Sequence, residues 1–385
     1  MTHENHHNEY TQAVELLIEN GFEGVADSLA ILLNSAMKVE RANHLEANPY
    51  ERTDDRRGYA NGFKPKRVKT RVGALDLKVP QTRGTDFYPN CLEKGLRSER
   101  ALNVAIAEMY IHGVSTRKVE PIVKELCGEG ISRQKVSQVA KELDEELEKW
   151  RNRELSKVPH MVIDAKYVKV RVDGLVRSCA ILIALGVTDD GKRTALGISV
   201  SLSEAEIHWR TFLRSLKDRG LRGLQSITSD DHSGLKAALK TEFNGVPWQR
   251  CQFHLQRNAQ SYVPKQEMKS IVAHDIRSVY NSLDLEEAEY RLNKIIEKYK
   301  KTASELSVWL EKNLREGLTI FHFPISIRKR LRTSNWAERT NLEIERRVNV
   351  IGIFPNKDSV LRVTSAMLRE MSEEWEAGNV YLQLE

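Results

Sequence analysis

Hydrophobic positions change their period along the chain, and the changes divide it into blocks. Over residues 9–45 apolar side chains recur at helical spacing: Ala13, Leu16 and Leu17, then Leu29, Leu32, Leu33, Ala36 and Met37, with a break near Gly21 and Gly24. This predicts a helical pair, apolar enough to need packing on its own chain or on a second copy. Residues 50–65 lose the pattern. Arg56, Arg57, Tyr59 and Lys64 there interleave charge, an aromatic and glycines, which suits a loop contacting a nucleic-acid backbone. From Arg67 to Val79 the chain alternates, with Leu75, Leu77 and Val79 on one face, and predicts a short hairpin around Gly73.

Helical spacing returns over residues 98–150. Leu102, Ile106 and Met109 share a face that Gly113 ends. A second helix runs to Leu126, a turn holds Gly128 and Gly130, and Ser132 is placed to cap a third helix. In that third helix Val136, Val139, Ala140 and Leu143 face inward, and Arg133, Gln134, Lys135 and Gln138 face outward. The spacing is that of a helix-turn-helix with a polar, basic second helix suited to a major groove. A purely structural helical hairpin has the same pattern. Pro121 argues against a full-length helix before the turn, because an interior proline costs about 3 kcal/mol.

From residue 160 the period switches to strands. A β-branched run, MVIDAKYVKVRV, precedes an Asp173-Gly174 turn; LVRSCAILIALGV precedes Asp190-Gly191; RTALGISVSL follows. A helix from Glu204 to Lys217 and a strand from Leu224 to Ser229 come next. Three antiparallel strands, a helix and a further strand is the opening order of an RNase H-like sheet. A weak strand signal near Trp248 to Phe253 closes this stretch. Residues 255–320 then read as helix throughout, with capping-box signals at Asp284/Glu287 and Thr302/Glu305.

Asp164 stands out in this pattern, because an aspartate inside an apolar strand is costly unless it is hydrogen-bonded or binds a metal. Asp230 lies where a strand gives way to a loop, a common place for ligands in α/β folds; it or Asp231 can equally cap the helix that follows. In the RNase H-like order these two strands are neighbours, so both carboxylates share one sheet edge and offer the close oxygen ligands that Mg²⁺ requires. Near the C-terminus Asn335 can cap a helix with Glu338 at its third position, a complete structural reason for that glutamate. Glu345, seven residues on and on the same face, is its competitor.

Bulk properties narrow the reading without deciding it. The chain has 385 residues, which is long for one core, and no apolar run long enough to span a membrane. The N-terminus lacks the features of a secretory signal, and its His3, His6 and His7 are expected in a solvated tail rather than a metal site. Cys91, Cys127, Cys179 and Cys251 form no Cys-x-x-Cys pair, which disfavours a zinc finger or disulfide framework and fits a reducing cytoplasm. The net charge is only +6, but it is clustered: eight Lys/Arg against three Asp/Glu from Glu51 to Arg71, and seven against three from Arg328 to Arg347, a stretch that includes Arg346 and Arg347. Such clusters suit a polyphosphate partner.

The run TSNWAERTNLEIERRVNVIGIFPN resembles the signature of the Mutator-type transposases of bacterial insertion sequences. So do RRGYANGFKPKRVKTRVGALDLKVPQTR, MYIHGVSTRKV, VIDAKYVKV, SDDHSGLKAAL and RCQFHLQRN, in the same order from about residue 10 to 370. The resemblance implies a DDE triad on an RNase H-like fold with an α-helical insertion before the glutamate. VIDAKYV carries Asp164, SDDHSGL carries Asp230 with Asp231 in the variable slot before His232, and SNWAERTN carries Glu338 rather than Glu345. The family's Cys-x-x-His motif falls on Cys251 and His254, which is half a zinc site without a second pair, and is expected to serve local packing and hydrogen bonding. Trp336, two residues before Glu338, is expected in the core, with stacking on a displaced base as the alternative.

The expected architecture is a multidomain α/β chain. Residues 1–95 form a helical dimerisation region with a basic loop and hairpin, and 96–153 a helix-turn-helix-like DNA-binding domain. An RNase H-like catalytic core spans 154–254 and 333–370, interrupted by a helical insertion at 255–332, and 371–385 form a tail. The implied activity is phosphodiester hydrolysis followed by joining of the freed 3′-OH to target DNA. Two Mg²⁺ ions, for which Mn²⁺ can substitute, clamp the attacking and leaving oxygens. The implied partners are the terminal inverted repeats, target DNA and a second copy of the chain, with no membrane and no organic cofactor. Two rival readings are a metal-dependent nuclease without strand transfer and a non-catalytic helix-turn-helix regulator; the cost of Asp164 inside a strand argues against the second.

Overall fold

The structure, a computed structural model, describes residues 2–95, 97–128 and 130–383, with side chains from residue 8 onward. The side chains of His3, His6 and His7 and the last two residues of the 371–385 tail lie outside the described residues. The chain forms two compact units, Met1–Leu143 and Asp144–Glu385.

In the first unit α1 (Thr2–Asn20) and α2 (Val25–Leu45) are joined by a tight turn, Gly21–Gly24. A side chain at Gly24 would sit 2.5 Å from the Leu16 carbonyl oxygen, so this reversal needs glycine. Strands β1 (Tyr59–Thr70) and β2 (Gly73–Arg83) form an antiparallel hairpin. Leu75, Leu77 and Val79 pack with Met37, Leu29 and Leu33 of α2, as the alternation predicts. The hairpin is longer than expected, because Tyr59 to Lys64 pair with Arg83 to Val79 and so belong to a strand, not a loop. Ladder bonds are made by the backbone, so pairing continues past the last apolar side chain, and that half of β1 stays exposed.

Three helices complete the unit: α3 (Arg100–Ile111), α4 (Thr116–Cys127) and α5 (Arg133–Lys141). Pro121 lies inside α4 without breaking it. It removes one helical hydrogen bond, and burial of Val119 and Val123, at roughly 1.5–3 kcal/mol each, offsets a cost of about 3 kcal/mol. Ser132 caps α5, its Oγ accepting from the Lys135 N–H at 3.2 Å. Val136, Val139 and Ala140 are buried, while Arg133, Gln134 and Gln138 are exposed and Lys135 half-exposed.

The second unit starts at α6 (Asp144–Arg151), whose Asp144 receives both ends of the buried Arg362 guanidinium at 2.7 and 2.6 Å. Helix α6 thus packs in this unit, although the sequence groups it with residues 96–153. Strands β3 (His160–Val172), β4 (Leu175–Val187) and β5 (Arg193–Ser201) are antiparallel. Asp173 and Gly174 both take positive φ, 52° and 77°, to make the first turn. After α7 (Glu206–Asp218), β6 (Ser226–Ser229) adds parallel to β3; after α8 (Ser233–Glu242), β7 (Trp248–Arg250) adds parallel to β6. The order is β5-β4-β3-β6-β7, a mixed sheet with helices on both faces.

Alternation along β3 sorts its residues. Met161 and Ile163 join Leu182, Trp209, Phe212, Leu213, Leu216 and Leu235 in one core layer, while Val162, Asp164 and Lys166 point to the other face. A helical block follows: α9 (Gln252–Ala259), α10 (Lys269–Tyr280), α11 (Leu285–Tyr299), α12 (Ser304–Asn313) and α13 (Ile325–Leu331). Asp284 caps α11 as expected, accepting from the Glu287 N–H at 2.8 Å. Thr302 does not cap α12, because the Ala303 N–H still bonds back to Tyr299 and the helix begins one residue later. The chain ends with α14 (Asn335–Ile351), the short β8 (Ile353–Phe354) beside β3, and α15 (Lys357–Ala377). No described helix is long and apolar enough to cross a membrane.

Candidate active site

The register of the parallel pair β3 and β6 brings two carboxylates together. His160 lies opposite Ser226 and Val162 opposite Thr228, so continuing the register sets Asp164 level with Asp230, just past the end of β6. The Asp164 carboxylate accepts from the Ala165 N–H at 2.9 Å and from the Asn341 side-chain amide at 2.7 Å. Burial pushes its pKa up to about 6; the Ala165 N–H and His254 oppose that shift, and the Glu338 and Asp230 carboxylates add to it. Asp230 accepts from the Asp231 N–H at 2.7 Å.

Asp231 is held differently. It faces the buried Arg250 guanidinium at 3.0 Å and Lys236 at 3.1 Å, in a network that Glu316 completes. Its charge is consumed locally, whereas Asp230 keeps only a 3.8 Å contact with His254 among the described ion pairs. His232 lies 3.8 Å from Glu204 and precedes α8.

Helix α14 lies along the same face of β3. Asn341 meets Asp164, and one turn on Glu345 meets Lys166 at 2.8 Å. Glu338, three residues before Asn341, is therefore on the sheet-facing side beyond Asp164. Asn335 does not cap this helix; Ser334 stands at the cap position, and its Oγ contacts the Glu338 carboxylate at 3.3 Å. The expected capping box is absent because the helix starts one residue earlier, and the Glu338 carboxylate instead meets the Ser334 hydroxyl and His254. His254 from α9 sits between the acids, its Nε2 3.5 Å from Glu338 and its Nδ1 3.8 Å from Asp230.

Cys251 and His254 do more than pack. The buried Cys251 sulfur accepts from the Ser334 N–H at 3.4 Å and the Ser334 hydroxyl at 3.2 Å. Burial raises its pKa, but bonds from His254 and Ser334 outweigh this and bring it below the usual thiol value. His254 is the converse: burial lowers it, and Cys251, Asp230 and Glu338 together hold it above its ordinary value. Cys251, His254 and Glu338 present a sulfur, a nitrogen and an oxygen within 4.8 Å of one another.

Of the remaining sequence candidates, Trp336 is buried and packs edge-on against Trp375 at 6.1 Å. Arg56 bonds the Gly58 carbonyl and stacks on Tyr59, Arg57 pairs with Glu46, Arg346 with Glu343 and Arg347 with Glu370. Lys64, Arg133, Gln134 and Gln138 are exposed. Sequence reasoning missed Asn341, Ser334 and Lys166. Asn341 carried a readable signal, since it lies one helical turn after Glu338; Ser334 and Lys166 acquire their roles only through packing.

A family model described as "Transposase, Mutator family" matches residues 1–378. The chain is 50% identical over 372 residues to the transposase for insertion sequence element IS406 of Burkholderia multivorans, covering 96% of each protein. It is 37% identical over 357 residues to the transposase for insertion sequence element IS256 in transposon Tn4001 of Staphylococcus aureus, covering 90% of each.

Proposed function

Because this chain belongs to the Mutator family of transposases, we propose that Asp164, Asp230 and Glu338 are the carboxylates with which it cuts and joins DNA. The observation that carries this reading is their convergence: an aspartate within β3 in register with one just past the end of β6, and a glutamate from α14, with the His254 imidazole between them. The strand order, with β3 antiparallel to β4 and parallel to β6, supports an RNase H-like core into which α9 to α13 are inserted.

The donor set fits Mg²⁺. Carboxylate oxygens are the ligands of a hard divalent cation, and Asp164 is enclosed beside two other acids that raise its pKa, a strain that a divalent cation would relieve. Asp164, Asp230 and Glu338 would hold the metal, which when bound supplies charge neutralisation and an activated water at the scissile phosphate. The chain's own contribution is placement. Asn341 fixes the Asp164 carboxylate, Ser334 and His254 fix Glu338, and the register of β3 on β6 fixes Asp230. No side-chain nucleophile is required.

Asp164→Asn, Asp230→Asn and Glu338→Gln each abolish cleavage in Mg²⁺ or Mn²⁺ while retaining end binding; efficient cleavage by any one of them rejects the assignment. A strand-transfer assay with pre-cut 3′ ends separates a transposase from a simple nuclease. Helix α5, with Arg133, Gln134 and Gln138 exposed, is proposed as the end-reading helix. Pairing of two ends calls for two copies, and Ile18 and Phe22, exposed in the first unit, supply apolar surface for that contact. A monomeric mass by light scattering, with and without DNA ends, contradicts the dimer.

A further inference from the structure

The segment after α15, part of the expected C-terminal tail, is built into the second unit. The Tyr381 and Leu382 N–H groups both donate to the Gly191 carbonyl, at 2.8 and 2.9 Å, and Leu382 is buried. A side chain at Gly191 would meet the Leu382 carbonyl oxygen at 1.8 Å, so the β4–β5 turn is shaped to receive this strap. Docking sets the Tyr381 ring 5.9 Å from Trp336 on the first turn of α14.

Guanidinium groups collect around that ring. Arg193 and Arg330 both lie 5.0 Å from the Tyr381 centroid, and Arg193 is also 5.0 Å from the Trp375 ring. Arg339, the residue after Glu338, acts on the same phenol and on Arg193. Among the described residues none of the three makes an ion pair, and no carboxylate is among the charges acting on Arg193 or Tyr381.

Elsewhere in this unit enclosed arginines find acceptors: Arg362 on Asp144, Arg250 on Asp231 and Glu316, and Arg153 and Arg219 on backbone carbonyls. Three convergent cations with no anion among the described residues repel one another, and burial already lowers the Arg193 pKa, so the arrangement costs stability in the free protein. Stacking on aromatic faces leaves the N–H forks open, and such forks match phosphate oxygens bidentately.

We infer that Arg193 and Arg330, arrayed on Tyr381 by the C-terminal strap, together with Arg339 on the adjoining start of α14, bind the phosphodiester backbone of a DNA strand beside the Glu338 turn. The site rests on the chain acting on DNA, and not on which carboxylates are catalytic. Its test therefore uses the full chain in EDTA, measuring affinity for a short mixed-sequence duplex across a salt series.

Removing one arginine–phosphate pairing lowers the slope of log Kobs against log[salt] by about 0.9. Arg330→Gln with Arg339→Gln, both at exposed positions, lowers the slope by about 2, and adding Arg193→Gln takes the fall toward about 3. The matching lysine substitutions keep most of the slope, because they keep the charge. Deleting residues 379–385 lowers it as well, since the ring that spaces the guanidiniums is gone. An unchanged slope in the folded double variant overturns the proposal. So does a variant that loses binding to polyglutamate and keeps its DNA slope, because that pattern belongs to an acidic protein partner.

Discussion

The first turn of α14 separates two regions of opposite imbalance. On one side Asp164, Asp230 and Glu338 crowd around a single imidazole. On the other, Arg193 and Arg330 lie against the Tyr381 ring and Arg339 acts on Arg193 and on that phenol, with no acid among them in the described residues. Neither arrangement is what a folded chain adopts to stabilise itself, since like charges brought together in a partly dry setting raise the free energy. The second unit is capable of pairing its charges, as Glu242 with Arg210, Arg214 and Lys217 demonstrates. On the proposed assignments, unpaired charge of one sign marks a place that meets the other sign from outside: a cation for the acids, phosphate for the arginines.

The largest effects come from pairs of neighbouring acids that differ only in whether the chain has already matched them. Glu338→Gln abolishes cleavage, whereas Glu345→Gln removes a half-exposed pair with Lys166, costs about 1 kcal/mol or less of stability, and leaves cleavage within a few-fold. Asp230→Asn abolishes cleavage. Asp231→Asn takes one partner from the buried Arg250 and lowers stability by on the order of 1–3 kcal/mol without abolishing chemistry. Gel assays of end cleavage and urea melts of the same four proteins are the check. Abolished cleavage in Glu345→Gln or Asp231→Asn would mean that matched and unmatched acids do not divide as the geometry divides them.

A stability effect of the next size isolates the carboxylate side. Asp164 has its folded pKa raised to about 6 from an ordinary 3.8. With the folded value above the unfolded one, its contribution is fully present below about pH 4 and is lost as pH rises through about 6. In EDTA, Asp164→Asn removes that loss and is more stable than the parent at pH 8, by on the order of 2–3 kcal/mol, with no gain at pH 4. The buried Asn341 Oδ1 lacks a partner, so an amide flip gives the new asparagine one. Denaturant midpoints at both pH values measure this; an equal or lower midpoint at pH 8 contradicts the burial argument.

How much of this is legible in the sequence depends on whether a residue's role is local. The strands, the hairpin turn at Asp173 and Gly174, and Asp164 as a costly residue on a strand all follow from period and burial. The choice between Asp230 and Asp231 does not, because Arg250 and Lys236 reach Asp231 only after β6, β7 and α8 assemble. Glu338 reads as a capping residue because one-residue shifts of a helix start are invisible to pattern reading. The C-terminal strap is unreadable for a related reason: YLQLE carries no period, and its anchor is the backbone of Gly191, nearly two hundred residues earlier. Pro121 misleads in the other direction, since its local penalty is plain in the sequence and the tertiary burial that offsets it is not.

The first unit offers a smaller test of the same distinction. Arg133 is exposed on α5 without an acidic partner among the described residues, whereas Arg57 already faces Glu46 at 2.7 Å. Arg133→Gln lowers the salt slope of end binding by about 1. Arg57→Gln lowers it by less, because its charge is partly neutralised in the free protein. Fluorescence anisotropy at several salt concentrations ranks the two, and a larger effect at Arg57 would move the DNA contact from α5 to the loop before β1.

Ser334 gives the smallest effect and the finest separation of the two regions, because it stands at the start of the helix that serves both. Its hydroxyl bonds the Cys251 sulfur at 3.2 Å and contacts Glu338 at 3.3 Å, and among the described residues it makes no hydrogen bond to the three arginines. In Ser334→Ala the backbone N–H still reaches Cys251, so the helix keeps its anchor and loses only side-chain bonds worth about 1 kcal/mol. The expected outcome is a cleavage rate lower by roughly five-fold with an unchanged salt slope for duplex binding. Removal of the hydroxyl on the acid side then reads out in chemistry alone. If the slope falls as well, the first turn of α14 moves as one body, and the carboxylates and the arginine cluster are two faces of a single mechanical element instead of two independently built sites.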